Sequence, residues 1–178
     1  MQILEGQYIP KGNNIKRSSE VVFVGEKPSD YFLKHPKERN FGNYNNPKSK
    51  TDMLLQEYVR KYLGQVYITD MVKTEGVSGS DFKSEWYKDS VHKKRLEKEF
   101  EKIKPKIIVA MGRKVERLLG QEFPKYNIIY VVHPSATRYP KNFAKWSPQF
   151  EEITKQIKEL QSHKKEDKKQ NPELYERD

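Results

Sequence analysis

Glu26, Asp30, Asp70 and His133 are the side chains of this sequence best suited to chemistry, and each lies just beyond an apolar run of β type. The runs are Val21-Val22-Phe23-Val24 before Gly25-Glu26-Lys27-Pro28-Ser29-Asp30, Val66-Tyr67-Ile68-Thr69 before Asp70, and Ile128-Ile129-Tyr130-Val131-Val132 before His133-Pro134-Ser135. Strands of a parallel α/β sheet point the same way, and ligand sites lie beyond their carboxyl ends. Four residues far apart in sequence can therefore meet at one crevice. Two or three acids and one histidine gathered there suit acid–base or glycosidic-bond chemistry.

The elements that must position them alternate. A strand at about 21–24 is followed by a polar Asn- and Pro-containing loop, 34–50, and by an amphipathic helix over 51–63. In that helix Met53-Leu54-Leu55, Tyr58-Val59 and Tyr62-Leu63 recur at helical spacing, and Gly64 is its expected stop. A second strand at 66–69 leads into a Gly- and Ser-bearing connection, 74–81, and a charged helix over 85–103, ended by Pro105. The apolar Ile107-Ile108-Val109 marks a third strand. Gly112 turns it into a helix over 113–119, with Gly120 expected to end it. A fourth strand at 127–132, a basic loop to about 143 and a last helix over 147–160 complete the series. This alternation predicts an α/β fold, a three-layer sandwich around a central, mostly parallel four-stranded sheet.

The chain has 178 residues, enough for one domain with its own core. Hydrophobic and charged residues each make up 34%, so part of the chain is expected to lie outside that core. Residues 1–19 read as an irregular N-terminal arm, 20–161 as the folded domain, and 162–178 as a charged tail, either a solvated helix extension or a disordered end. Lys plus Arg outnumber Asp plus Glu by 35 to 25, and the net charge of +10 favours a polyanionic partner, although it also serves solubility alone. There is no cysteine, which excludes disulfides, thiolate zinc sites and cysteine-held iron–sulfur clusters. No stretch approaches the ~20 apolar residues that span a bilayer. The N-terminus lacks a signal pattern. The expectation is a soluble cytoplasmic monomer without a metal or cofactor, with no membrane contact and no protein partner implied.

With these motifs in order, the chain resembles the uracil-DNA glycosylase superfamily. Gly25-Glu26-Lys27-Pro28-Ser29 resembles the first motif of its iron–sulfur branch, glycine–glutamate–x–proline–glycine. Asn40-Phe41-Gly42 resembles the aromatic-bearing loop, and 66–73 the strand that ends in a base-reading asparagine. Residues 105–112 resemble the third strand and its glycine turn, and His133-Pro134-Ser135-Ala136-Thr137-Arg138 the second motif. The likeness covers roughly residues 20 to 160. The chain departs from the family in three ways. The cluster cysteines are missing, so no cluster is implied; Lys27 stands where other branches carry a catalytic aspartate or asparagine; and Asp70 stands where the family has asparagine.

The resemblance implies a DNA glycosylase that flips its target nucleotide into a pocket, at a cost of a few kcal/mol. Phe41 would stack on the base, with Asn40 and Pro28 beside it. His133 would donate a hydrogen bond to the base as charge develops on the leaving ring. Glu26 or Asp30 would position water against an oxocarbenium-like sugar, and the residues do not rank the two. Pro134, Ser135 and Arg138 would hold phosphate or brace the duplex, as would Lys27, unless Lys27 attacks the sugar as a Schiff-base nucleophile.

Asp70 decides the expected substrate. An asparagine amide both donates and accepts, which suits uracil, whereas an ionised aspartate only accepts. Facing cytosine it meets an amino donor, a pairing worth about 1–3 kcal/mol of discrimination; if protonated, it could instead donate to the ring nitrogen. A glycosylase for ordinary cytosine would damage its own genome, so a modified cytosine is the expected target. The family's phage-defence enzymes acting on glucosylated hydroxymethylcytosine provide the analogy. A uracil-DNA glycosylase in base excision repair and a catalytically inactive DNA-binding member are the alternatives.

Overall fold

The computed structural model of the chain describes residues 7–9, 20–27, 50–72, 86–87 and 90–170. In chain order these form β1 (Gln7–Ile9), β2 (Val21–Gly25), α1 (Lys50–Tyr62), β3 (Val66–Asp70), α2 (Ser90–Ile103), β4 (Ile107–Met111), α3 (Arg113–Glu122) and β5 (Asn127–Val131). A 3-10 turn (Pro134–Arg138), a short helix α4 (Pro140–Phe143) and the long helix α5 (Trp146–Gln170) follow.

The four strands read from the sequence are all parallel and lie in the order β3-β2-β4-β5. β2, β3 and β4 are buried at every residue, as expected of parallel strands covered on both faces, while β5 at the edge is partly exposed. A fifth strand, absent from the sequence reading, comes from the stretch read as irregular: β1 pairs antiparallel with β3. Three residues ending before Pro10 carry too little periodicity to read as a strand, yet they cover backbone groups that β3 would otherwise leave at an open edge.

The chain leaves β2 for β3 on one side and returns past it to β4 on the other. The junction of β2 and β4 is therefore the switch point, where open α/β sheets leave a crevice at the strand ends. One face of the sheet packs Val21, Phe23, Ile68, Val109 and Val131 against Leu55 and Val59 of α1 and Trp146, Phe150 and Ile153 of α5. The other packs Val22, Val24, Ile108 and Ala110 against Leu96 and Phe100 of α2 and Val115, Leu118 and Leu119 of α3. These faces make the three layers.

Gly64 ends α1 as expected: its φ is 81°, and its N–H donates to Val59 O at 2.9 Å. Gly120 does not end α3, which continues to Glu122. A glycine inside a helix costs only about 1 kcal/mol. Buried Leu118, Leu119 and Phe123 hold the last turn, and the Phe123 N–H caps it on Leu119 O at 2.8 Å. The basic loop after His133 is more ordered than its sequence suggests, holding the 3-10 turn and α4. α5 extends ten residues beyond the expected Leu160, so the charged stretch continues as helix to Gln170. No helix of the described residues is long and apolar enough to cross a membrane.

Candidate active site

Glu26 follows β2, Gly112 follows β4 and His133 follows β5 by two residues, so the sheet order alone brings them to its carboxyl edge. The ladder continues past the last strand residues. Met71 N–H donates to Gly25 O and Val72 N–H to Glu26 O, both at 3.0 Å, and Gly112 N–H donates to Val131 O at 3.0 Å. These bonds fix the backbone carrying Glu26 and Gly112 before any side chain acts.

Gly112 is the floor between the two reacting candidates. With φ 108° and ψ 149° it occupies backbone space that other residues rarely enter. A Cβ there would stand 3.9 Å from Glu26 Oε1, 3.9 Å from His133 Cδ2 and 3.7 Å from His133 Cβ. Carboxylate and imidazole thus flank one point, separated by at most twice that distance, over a floor without a side chain.

His133 is held from both sides. The preceding residue, Val132, is clamped by α5: its N–H donates to Gln149 Oε1 at 3.0 Å, and its carbonyl accepts from Trp146 Nε1 at 2.9 Å. Pro134 is buried at the first position of the 3-10 turn. On the ring, Nδ1 accepts the Ser135 backbone N–H at 3.2 Å and lies 2.7 Å from Ser135 Oγ. A backbone N–H can only donate, so Nδ1 is the acceptor and the proton of the neutral ring belongs on Nε2. Burial lowers the His133 pKa below its ordinary value, and the Glu26 charge pulls the other way. The result favours a neutral imidazole carrying a donor at Nε2. Ser135, expected to hold phosphate, therefore also sets the tautomer of His133.

Asp70 ends β3 directly opposite Gly25 of β2 and is only 6% exposed. Its carboxylate leans toward the sheet centre, since Oδ1 takes the space a Cβ of residue 25 would need. Met111 Cε, from β4, stands 3.3 Å from that same Cβ position. Asp70, Gly25 and Met111 thus form one row across three strands, with Glu26 and Gly112 one residue further along.

Lys27 is half-buried beside Glu26, and Arg138 is exposed with its guanidinium 4.9 Å from the Tyr139 ring centroid. Pro28, Asp30, Asn40 and Phe41 lie outside the described residues, as do the 34–49 part of the polar loop and the 74–81 connection. The structure therefore brings Glu26 together with His133, and Asp70 against the residue before Glu26. It adds Gly25, Met111, Gly112, Gln149 and Trp146 to the site. The signal for the two glycines was their place at the end of apolar strand runs. Trp146 and Gln149 offered none, because their partner is a backbone group distant in sequence. Among the described residues, no cluster of three or more His, Asp or Glu side chains is placed to hold a metal ion.

A carboxylate and a neutral histidine around an open floor can do two jobs. The carboxylate can orient or deprotonate water, and the Nε2–H can stabilise charge on a leaving group. The chain matches no curated protein. Residues 13–161, which include β2 to β5 and every site residue above, match the family described as the uracil DNA glycosylase superfamily, a match that supports DNA glycosylase activity and DNA as the substrate. With that match covering most of its length, and a parallel sheet carrying Glu26 and His133 at its carboxyl edge, the chain belongs to the uracil DNA glycosylase superfamily.

Proposed function

We propose that this chain hydrolyses the N-glycosidic bond of a cytosine-type base extruded from DNA, with a modified cytosine as its target, leaving an abasic site. The observation that carries the choice of base is Asp70, buried at the end of β3 with its carboxylate against Gly25. In its ionised form it accepts hydrogen bonds only, which matches an exocyclic amino group and opposes a uracil carbonyl. His133, with Nδ1 satisfied by Ser135, offers Nε2–H to the base oxygen as negative charge builds on the departing ring. Glu26 holds water against the sugar as positive charge develops there. The reaction consumes one water and releases the free base; no redox step is involved.

The surface beside His133 supports a polyanionic substrate. From Pro134 to Phe150 there is no acidic residue, while Arg138, Lys141 and Lys145 are all exposed. Tyr139 and Phe143 are 49% and 40% exposed among these cations, a mixture of charge and stacking area suited to nucleotides.

The test is to identify, by mass spectrometry, the bases released from duplexes that contain cytosine, 5-hydroxymethylcytosine, its glucosylated form or uracil. Release of a cytosine-type base is expected, and Asp70→Asn is expected to shift preference toward uracil by about 10- to 100-fold, the equivalent of the discrimination by one good base contact. Release of uracil alone by the unaltered chain would remove the cytosine reading. Tight DNA binding with no base released from any duplex would favour a DNA-binding member without catalysis.

A further inference from the structure

We infer that Gly25 is a positioning residue for Asp70: with Met111 it forms a slot that sets where the carboxylate lies and admits only a side chain of aspartate or asparagine length at position 70. The consequence for base choice rests on the function proposed above; the slot itself does not.

Gly25 has no conformational reason to be glycine. Among the described glycines only Gly64 and Gly112 have positive φ, so residue 25 sits in ordinary strand backbone that any residue adopts. A glycine in a buried strand loses packing and adds chain entropy, and its usual meaning is the close approach of another group. Here that group is the Asp70 carboxylate. The β2–β3 register sets Gly25 opposite Asp70, and Oδ1 of Asp70 fills the place of the missing Cβ. The Met111 methyl closes the other side at 3.3 Å. Met111 is flexible and can give way, but Asp70 is short, buried and anchored on a strand paired with β2 up to Asp70 itself. A methyl group at position 25 therefore displaces the carboxylate. A glutamate at position 70 meets the same limit from the other side, because its extra methylene drives the carboxylate toward Met111.

The experiment is a double-mutant cycle on the full chain, using Gly25→Ala, Asp70→Ala and the pair. It is read first by thermal unfolding and then by base release and DNA affinity. In the Asp70 background, Gly25→Ala is expected to lower the melting midpoint by roughly 5–10 °C, the usual effect of overpacking in a domain of this size. In the Asp70→Ala background most of that loss disappears, because the clash is gone. Turnover on a cytosine-type base falls about 100-fold in Gly25→Ala, as for a group misplaced by about 1 Å, while affinity for non-specific duplex stays unchanged. Adding Gly25→Ala to Asp70→Ala lowers turnover no further.

Additive losses in stability would overturn the inference. If Gly25→Ala alone does not fold, folding of the double variant shows the same coupling, and failure of the double variant to fold overturns it. Coupled stability without release of any base leaves the slot standing and removes the catalytic reading, so the two failures are separable.

Discussion

On the β4–β5 side of the crevice, Glu26 and His133 are half-buried and meet across Gly112; on the β3 side, Asp70 is 6% exposed and lies against Gly25. Both places use a glycine at a strand end, but for different reasons. Gly112 supplies a backbone conformation with φ 108° and an open floor. Gly25 supplies only room. The difference fits the chemistry proposed for each side. Groups that handle water and a leaving base need access to solvent and substrate. A group that reads a base edge gains from dryness, because an unmatched acceptor there cannot be rescued by water. The His133 side is also held from outside the sheet, by Trp146 and Gln149 of α5, and the backbone of Asp70 is set by its pairing with Gly25.

The largest effect that would sharpen this contrast is on turnover. His133→Ala is expected to cost about 10²- to 10³-fold in kcat, the range for removing one preorganised donor, with the ratio of bases released unchanged. If base choice moves as strongly as it does in Asp70→Asn, the division into a reacting side and a reading side is broken. Next comes Gly112→Ala. Backbone strain there is expected to cost of order 1–3 kcal/mol in denaturant unfolding, and the new methyl sits between carboxylate and imidazole. Unlike Gly25→Ala, this loss should persist when Asp70 is alanine, because it arises from φ; rescue by Asp70→Ala would make the two glycines equivalent.

The smallest effect is electrostatic. Burial makes the folded-state pKa of His133 lower than that of an unfolded histidine, about 6.5. As pH falls through 6.5 the unfolded chain takes up the proton first, so the stability contributed by the neutral ring is present above that pH and is lost toward the lower folded pKa. An NMR titration should place the His133 midpoint below 6.5. Because the Glu26 charge raises it, Glu26→Gln should move the midpoint further down. An upward move would mean that the two groups do not face each other.

Much of the fold and of the site's position is legible in the sequence. β2 to β5 appear in sequence as apolar runs because a parallel strand covered on both faces must be apolar throughout. Their endings in Glu26, Asp70 and His133 gave the site its edge. β1 was not legible, since three residues before Pro10 have no periodicity and pair only because β3 is already in place. Gly120 misled for the opposite reason: its local preference is weak, and the burial of Leu118, Leu119 and Phe123 outweighs it. Ser135 carried no sign that its amide would fix a histidine tautomer, which needs the turn formed by Pro134.

By itself the sequence determined the layered α/β class, the basic character and the residue types available at the strand ends. These depend on composition and on patterns a few residues long, which local sterics and burial enforce. The strand order, and with it which ends are neighbours, was decided only in three dimensions. So were the closeness of Glu26 to His133 and the use of Gly25 as a place for another residue's carboxylate. The physical reason is that each depends on contacts between segments tens of residues apart, whose geometry exists only once both faces of the sheet are packed.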